Sequence, residues 1–109
     1  MRTLLIDDER TIDCTMVVRI YDEGILALQI EKWDELLLDH DLGDPDERKT
    51  GYGIMCWLEQ NVQYIPRRII LITLNPAGRK NMLLVLRNFV AKGYCSGSIN
   101  PGGRNQPCY

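Results

Sequence analysis

The sequence predicts an α/β domain built on a mostly parallel sheet, and three observations carry that reading. Short apolar runs rich in β-formers alternate with segments of helical spacing. Residues 68–74 (RIILITL) form a continuous apolar run, the pattern of a strand covered on both faces. Two further runs, Thr3–Ile6 and Leu36–Leu38, break off directly into carboxylates, Asp7-Asp8-Glu9 and Asp39-His40-Asp41. Ligands of an open parallel sheet sit just beyond the carboxyl ends of its strands.

Each element has its own grounds. Thr3–Ile6 reads as a buried strand, and the β-branched stretch Thr15–Tyr21 as a second. Asp22 is the expected N-cap of a helix over 23–32, with Ile25, Leu28 and Ile30 on its apolar side. Glu35–Asp39 is the third strand. The polar stretch 43–50, with Pro45, is a loop. Thr50-Gly51-Tyr52-Gly53 opens a helix to about residue 63, in which Trp57 falls at a core position. The fourth strand is 68–74. Asn75-Pro76 then starts a helix: Asn caps it, and Pro fits the first turn, where its missing N–H costs nothing. Met82, Val85, Leu86, Phe89 and Val90 form its buried stripe. Only eight residues separate the first two strands, short for a parallel crossover. Either the intervening helix is reduced to a turn or the second strand lies elsewhere.

The 109 residues suit one core. We expect a domain over 1–93 and a Gly/Asn/Pro-rich tail over 94–109, where an edge strand and a tail outside the sheet both stay open. No apolar run approaches the 18 or so residues of a membrane helix, and no signal-like segment opens the chain, so a cytoplasmic protein is expected. Cys14, Cys56, Cys95 and Cys108 make no C-x-x-C pair. Reduced, structural thiols are expected, although Cys95 and Cys108 could cross-link in air. Walker A, G-x-G-x-x-G, HExxH and nucleophile-elbow motifs do not occur, which sets aside P-loop hydrolysis and dinucleotide redox chemistry.

Charge is distributed unevenly. All fifteen acids lie at or before Glu59, so residues 1–59 carry a formal −9 and residues 60–109 a formal +7. This implies a site with one wall for a cation and another for a phosphate. Asp7, Asp8 and Asp39 are the candidate metal ligands, since Mg²⁺ is held by one or two carboxylates plus water and phosphate oxygens. Asp39 and Asp41 form D-x-D, where one carboxylate can act on phosphorus while the other relays a proton. His40, the only histidine, is turned away if the strand persists and serves as acid, base or ligand if it has ended. Thr73 and Asn75 can donate to phosphoryl oxygens. Arg79, in the first turn of the following helix, adds a planar fork to a helix N-terminus that favours anions.

LLIDDE, LLLDHDLG and LITLNP resemble the acidic pair, the phospho-accepting aspartate strand and the Ser/Thr strand of a response-regulator receiver domain. More narrowly, IDDER, LDHDLGD, TGYG, NPAGR and NM resemble the cyclic-phosphate processing receiver-domain family of phages and bacteria, over roughly residues 1–90. The resemblance implies a small receiver-like (flavodoxin-like) sheet of four to five strands with flanking helices and a reduced first helix. It implies Mg²⁺ or Mn²⁺ on Asp7, Asp8 and Asp39, and a phosphate pocket completed by Asp41, Thr73, Asn75 and Arg79. The implied activity is processing of the cyclic phosphate of RNA ends or nucleotides, as in RNA repair, so the implied partner is a phosphorylated small molecule, a nucleotide or an RNA end. The alternative is a non-catalytic module that binds a nucleotide or a protein partner. Two departures argue against a phosphorelay role. Receivers carry a lysine after a fifth strand, and here only Lys92-Gly93 is offered, directly after a helix; the first helix is also nearly missing.

Overall fold

Leu4, Ile6, Leu36, Leu38, Ile69 and Leu71 alternate along three strands and bring one apolar face of a sheet together. The computed structural model describes residues 1–99. Along the chain run β1 (Thr3–Ile6), β2 (Met16–Val18), α1 (Tyr21–Ile30), β3 (Glu35–Leu38), α2 (Gly51–Gln60), a 3₁₀ turn (Val62–Tyr64), β4 (Arg68–Leu71), α3 (Pro76–Ala91) and β5 (Ser96–Ile99). The five strands are all parallel, in the order β2-β1-β3-β4-β5.

The three helices pack on the Leu4/Leu36/Ile69 face, and Leu28, Ile54, Leu58, Leu86 and Phe89 meet the sheet there. The opposite face carries a smaller cluster of Leu5, Leu37, Ile70 and Ile72, with Cys14 and Val17 against it. Handedness accounts for the division. From β2 onward each crossover moves across the sheet in one direction, so right-handed connections place all three helices on one side. The step from β1 to β2 runs the other way and passes over the other face. It does so without a helix: residues 7–15 are a loop, and β2 still pairs parallel with β1 through Leu4–Met16, Leu5–Val17 and Ile6–Val18. Full helical cover of both faces, expected from the apolar β4, is therefore not found among the described residues.

Several boundaries shift for identifiable reasons. α1 begins at Tyr21 with Ile20 as N-cap, not at Asp22, because Tyr21 packs on the main core and belongs to the helix. Asp22 and Glu23 instead sit in the first turn, where the helix dipole favours them. Ile30 is exposed. α2 stops at Gln60, where the Asn61 amide caps back onto the Trp57 carbonyl at 2.9 Å. Trp57 is half-buried and stacks on Tyr64, with ring centroids 5.5 Å apart, while Ile54, Met55 and Leu58 are the core positions of α2. The large indole of the core is Trp33, between α1 and β3, whose Nε1–H donates to the Ala27 carbonyl at 2.8 Å. The Asn75 cap, Pro76 in the first turn and the stripe Met82, Val85, Leu86 and Phe89 are as expected, with Val90 half-buried. β5 lies within the segment left open between an edge strand and a tail. Cys14, Cys56 and Cys95 are free thiols, and burial pushes that of Cys95 up to about 11. Cys108 and its cross-link lie outside the described residues.

Candidate metal and phosphate site

β1 and β3 are neighbours, and their last paired rung is Ile6–Leu38. One step further, Asp7 and Asp39 leave the sheet side by side. The Asp39 N–H still donates to the Ile6 carbonyl at 3.0 Å, which fixes that carboxylate next to Asp7. β1 lies where the chain's crossovers reverse direction, the place at which such sheets open a crevice.

Asp7 is buried and hydrogen-bonded through both oxygens. Its Oδ1 accepts the backbone N–H groups of Glu9 and Arg10, both at 2.9 Å, and its Oδ2 accepts Nη1 of Arg10 at 2.8 Å. Burial pushes this carboxyl up, but those two N–H groups and the guanidinium outweigh it and hold Asp7 below the usual carboxylate range. Asp39 is also buried and differs in the balance. Burial and the charge of Asp7 raise it above the usual range, against the His40 N–H (2.8 Å to Oδ1), the Thr73 hydroxyl and Arg10. The Nη1 of Arg10 stands 3.9 Å from Asp39 Oδ2. Asp7, Asp8 and Asp39 each offer an oxygen within 4.8 Å of the other two. Three hard oxygens at that spacing fit a small divalent cation such as Mg²⁺ or Mn²⁺.

These acids open onto a cleft of about 250 Å³ whose lining includes Arg10, Asp41, Thr73, Leu74 and Asn75. Six of the eight residues singled out in the sequence thus meet in one cleft. The neutral ones already have partners. Thr73 Oγ1 accepts the Asn75 N–H at 3.0 Å while its hydroxyl bonds Asp39, so Thr73 first of all positions Asp39. Asn75 Oδ1 caps α3 through the Gly78 N–H at 3.0 Å, and its Nδ2 reaches Asp41 Oδ1 at 3.3 Å. His40 and Arg79 are not among the lining residues. The strand has ended by His40, and its ring lies against the first turn of α3 with Nδ1 2.9 Å from Asp41 Oδ1. Asn75 Nδ2 stands 3.4 Å from the same ring nitrogen, so His40, Asp41 and Asn75 form one polar cluster. Arg79 is half-buried one turn into α3.

Two glycines make this packing feasible. A Cβ on Gly51 would stand 2.0 Å from the Asp39 carbonyl oxygen, and its N–H donates to the His40 carbonyl at 2.8 Å. A Cβ on Gly78 would stand 2.3 Å from the His40 ring. Sequence reasoning offers Arg10 only as an ion-pair partner for these acids, a pairing the structure shows with Asp7 at 2.8 Å, and not as a member of the site. The available signal was its spacing, three residues after Asp7, which suits an Asp side chain that folds back on the following backbone N–H groups. A larger recess of about 530 Å³, lined among others by Tyr21, Tyr52, Cys56 and Trp57, is mostly apolar and brings together no carboxylate pair.

Comparison with known proteins now bears on this geometry. The family model described as "Cyclic-phosphate processing Receiver domain" matches residues 2–88. The chain belongs to that family. Among solved structures, this receiver domain is similar to a response regulator protein from Burkholderia pseudomallei, solved with a phosphorylated aspartic acid, a calcium ion and citrate. The TM-score is 0.61 at 13% identity, over 94% of this chain and 61% of that one, so the likeness is one of fold and the chain spans about three-fifths of its neighbour. No curated protein matches. The chain has the expected receiver-like parallel sheet with flanking helices, five strands and three α-helices among the described residues, and none of those helices is long and apolar enough to cross a membrane.

Proposed function

We propose that this receiver domain is a metal-dependent phosphate-handling domain that opens the cyclic phosphate of a nucleotide or RNA end. One observation carries the reading: three carboxylate oxygens within 4.8 Å at adjoining strand ends, facing a cleft that also holds Asp41, Asn75 and a guanidinium. Asp7, Asp8 and Asp39 would hold Mg²⁺ or Mn²⁺, which when bound polarises the phosphoryl group. In the reaction a water oxygen bonds to phosphorus and one ring ester P–O bond breaks. Asp41, held by His40 and Asn75, takes the proton that the water loses. The same proton returns to the ribose oxygen set free, so that no net proton is gained or lost at the site. Arg79 lies outside the cleft lining and would contribute charge at longer range.

A Mg²⁺ titration followed by tryptophan fluorescence, with a 2′,3′-cyclic nucleotide then added and products read by ³¹P NMR, tests this. The expected result is binding and ring opening by wild type, and neither by Asp39→Asn. Metal binding without turnover would favour the second reading, a non-catalytic module for a nucleotide or protein partner. The likeness to a response-regulator fold supports that reading. No metal binding by folded wild type would remove the first.

A further inference from the structure

We propose that Arg10 is the exchangeable cation of the cleft: it bridges Asp7 and Asp39 until a divalent ion takes its place, and then binds the phosphoryl oxygens. This rests on the metal-and-phosphate reading above. Asp7 Oδ1 is committed to two backbone N–H groups and Asp39 Oδ1 to one. The oxygens of this pair that take no backbone N–H are Asp7 Oδ2 and Asp39 Oδ2, and one nitrogen, Arg10 Nη1, faces both, at 2.8 and 3.9 Å. A divalent ion on those oxygens would meet that guanidinium at contact distance, and like charges repel strongly there. The side chain must therefore move when the ion binds.

The backbone that carries it is held in place. Arg19 holds the backbone at the root of the side chain, donating to the carbonyls of Asp7 (3.2 Å) and Arg10 and to Thr11 Oγ1 (2.9 Å). The guanidinium can thus swing while the loop stays in place. Among the described residues Arg10 is the only cationic side chain in the cleft lining, and the Thr73 hydroxyl and the Asn75 amide already bond Asp39 and Asp41. An entering phosphate dianion would find its charge partner there, and the planar fork suits two of its oxygens.

The test compares wild type with Arg10→Gln, which keeps the backbone N–H to Asp7. Calorimetry measures Mg²⁺ alone, then inorganic phosphate at saturating Mg²⁺. The Arg10 Nε–H resonance in ¹⁵N spectra, assigned by through-bond correlation to the Arg10 backbone, is followed in wild type. Without the internal competitor, Mg²⁺ should bind roughly tenfold tighter. Phosphate should bind at least about tenfold more weakly. The Nε–H signal should move on Mg²⁺ addition and again with phosphate. Mg²⁺ binding by Arg10→Gln with none by wild type would overturn the exchange, because the ion then never takes the place of Arg10 in the native protein. Equal Mg²⁺ affinity in both proteins overturns it and leaves the metal reading intact, as does unchanged phosphate affinity. Failure of both proteins to bind Mg²⁺ overturns the two together. Should the variant not fold, an Nε–H signal unmoved by Mg²⁺ and phosphate in wild type is decisive against it.

Discussion

Asp39→Asn should stabilise the folded chain at pH 7 while abolishing its response to Mg²⁺. Asp39 is buried, and one of its oxygens lies within 4.8 Å of oxygens on both Asp7 and Asp8. At an effective dielectric of about 20, each repulsion is worth about 3.5 kcal/mol. The Arg10 contact at 3.9 Å returns about 4 kcal/mol on the same scale. Asp8 is more open to solvent than Asp7, so its share is screened. Removal of the charge should leave a net gain of about 1–2 kcal/mol, or roughly 5–10 °C in Tm for a domain of this size. The asparagine oxygen can still accept the His40 N–H. The sign follows from the raised folded pKa: the unfolded chain releases this proton more readily, near 3.8. Wild type therefore loses stability relative to the variant as pH rises from about that value through the raised folded value, and the full difference is present above it. Urea melts at pH 3 to 7 measure this, with curves converging at the acid end. Added Mg²⁺ should then raise the midpoint of wild type only, by about 2.7 kcal/mol at a hundredfold excess over Kd. A folded Asp39→Asn that is less stable than wild type at pH 7, or that gains equally from Mg²⁺, would refute the reasoning.

Three other outcomes are expected. Asp7 has the opposite sign, because its folded pKa is lowered: Asp7→Asn should cost about 1–3 kcal/mol at pH 7, a deficit that closes as pH falls from 3.8 through the lowered folded value; a deficit constant with pH in urea melts would count against it. Gly51→Ala drives a methyl to 2.0 Å from the Asp39 carbonyl, so the β3–α2 junction must shift, and amide spectra should show loss of the native fold or displaced Asp39 and His40 signals. Trp33→Phe leaves the Ala27 carbonyl without its donor and should cost about 2 kcal/mol or more by chemical denaturation; an unchanged midpoint would mean that the hydrogen bond contributes nothing.

Legibility in the sequence followed apolar content. β1, β3 and β4 could be read because their side chains carry the core, and Asp7 and Asp39 could be read with them, since each stands directly behind such a run. β5 could not, because its sequence SGSI is nearly without apolar mass. It is nonetheless buried at Gly97 and Ser98, since Leu86 of α3 fills the space a side chain on Gly97 would need, 2.7 Å from that Cβ position. The partner supplies the packing, and a strand of this kind leaves no periodic signal of its own. Trp33 stood outside any recognised element for a related reason. Its place is set by one hydrogen bond to α1 and by the Arg2 guanidinium 5.4 Å from its ring, neither of which is a local pattern.

The charge asymmetry between the two halves of the sequence predicted a phosphate wall built from the basic second half, and the cleft is built differently. Its second-half residues, Thr73, Leu74 and Asn75, are neutral, and the cation among the acids is Arg10, from the acidic half. Arg67 of the basic half instead pairs with Asp34, at the start of the strands and away from the cleft. Net charge summed over fifty residues sets a long-range field, whereas a carboxylate cleft responds to the nearest guanidinium, at 2.8 Å. The informative pattern was the local one, an aspartate at a strand end with an arginine three residues on. That spacing lets one turn supply both a carboxylate of the acidic cluster and the guanidinium paired with it.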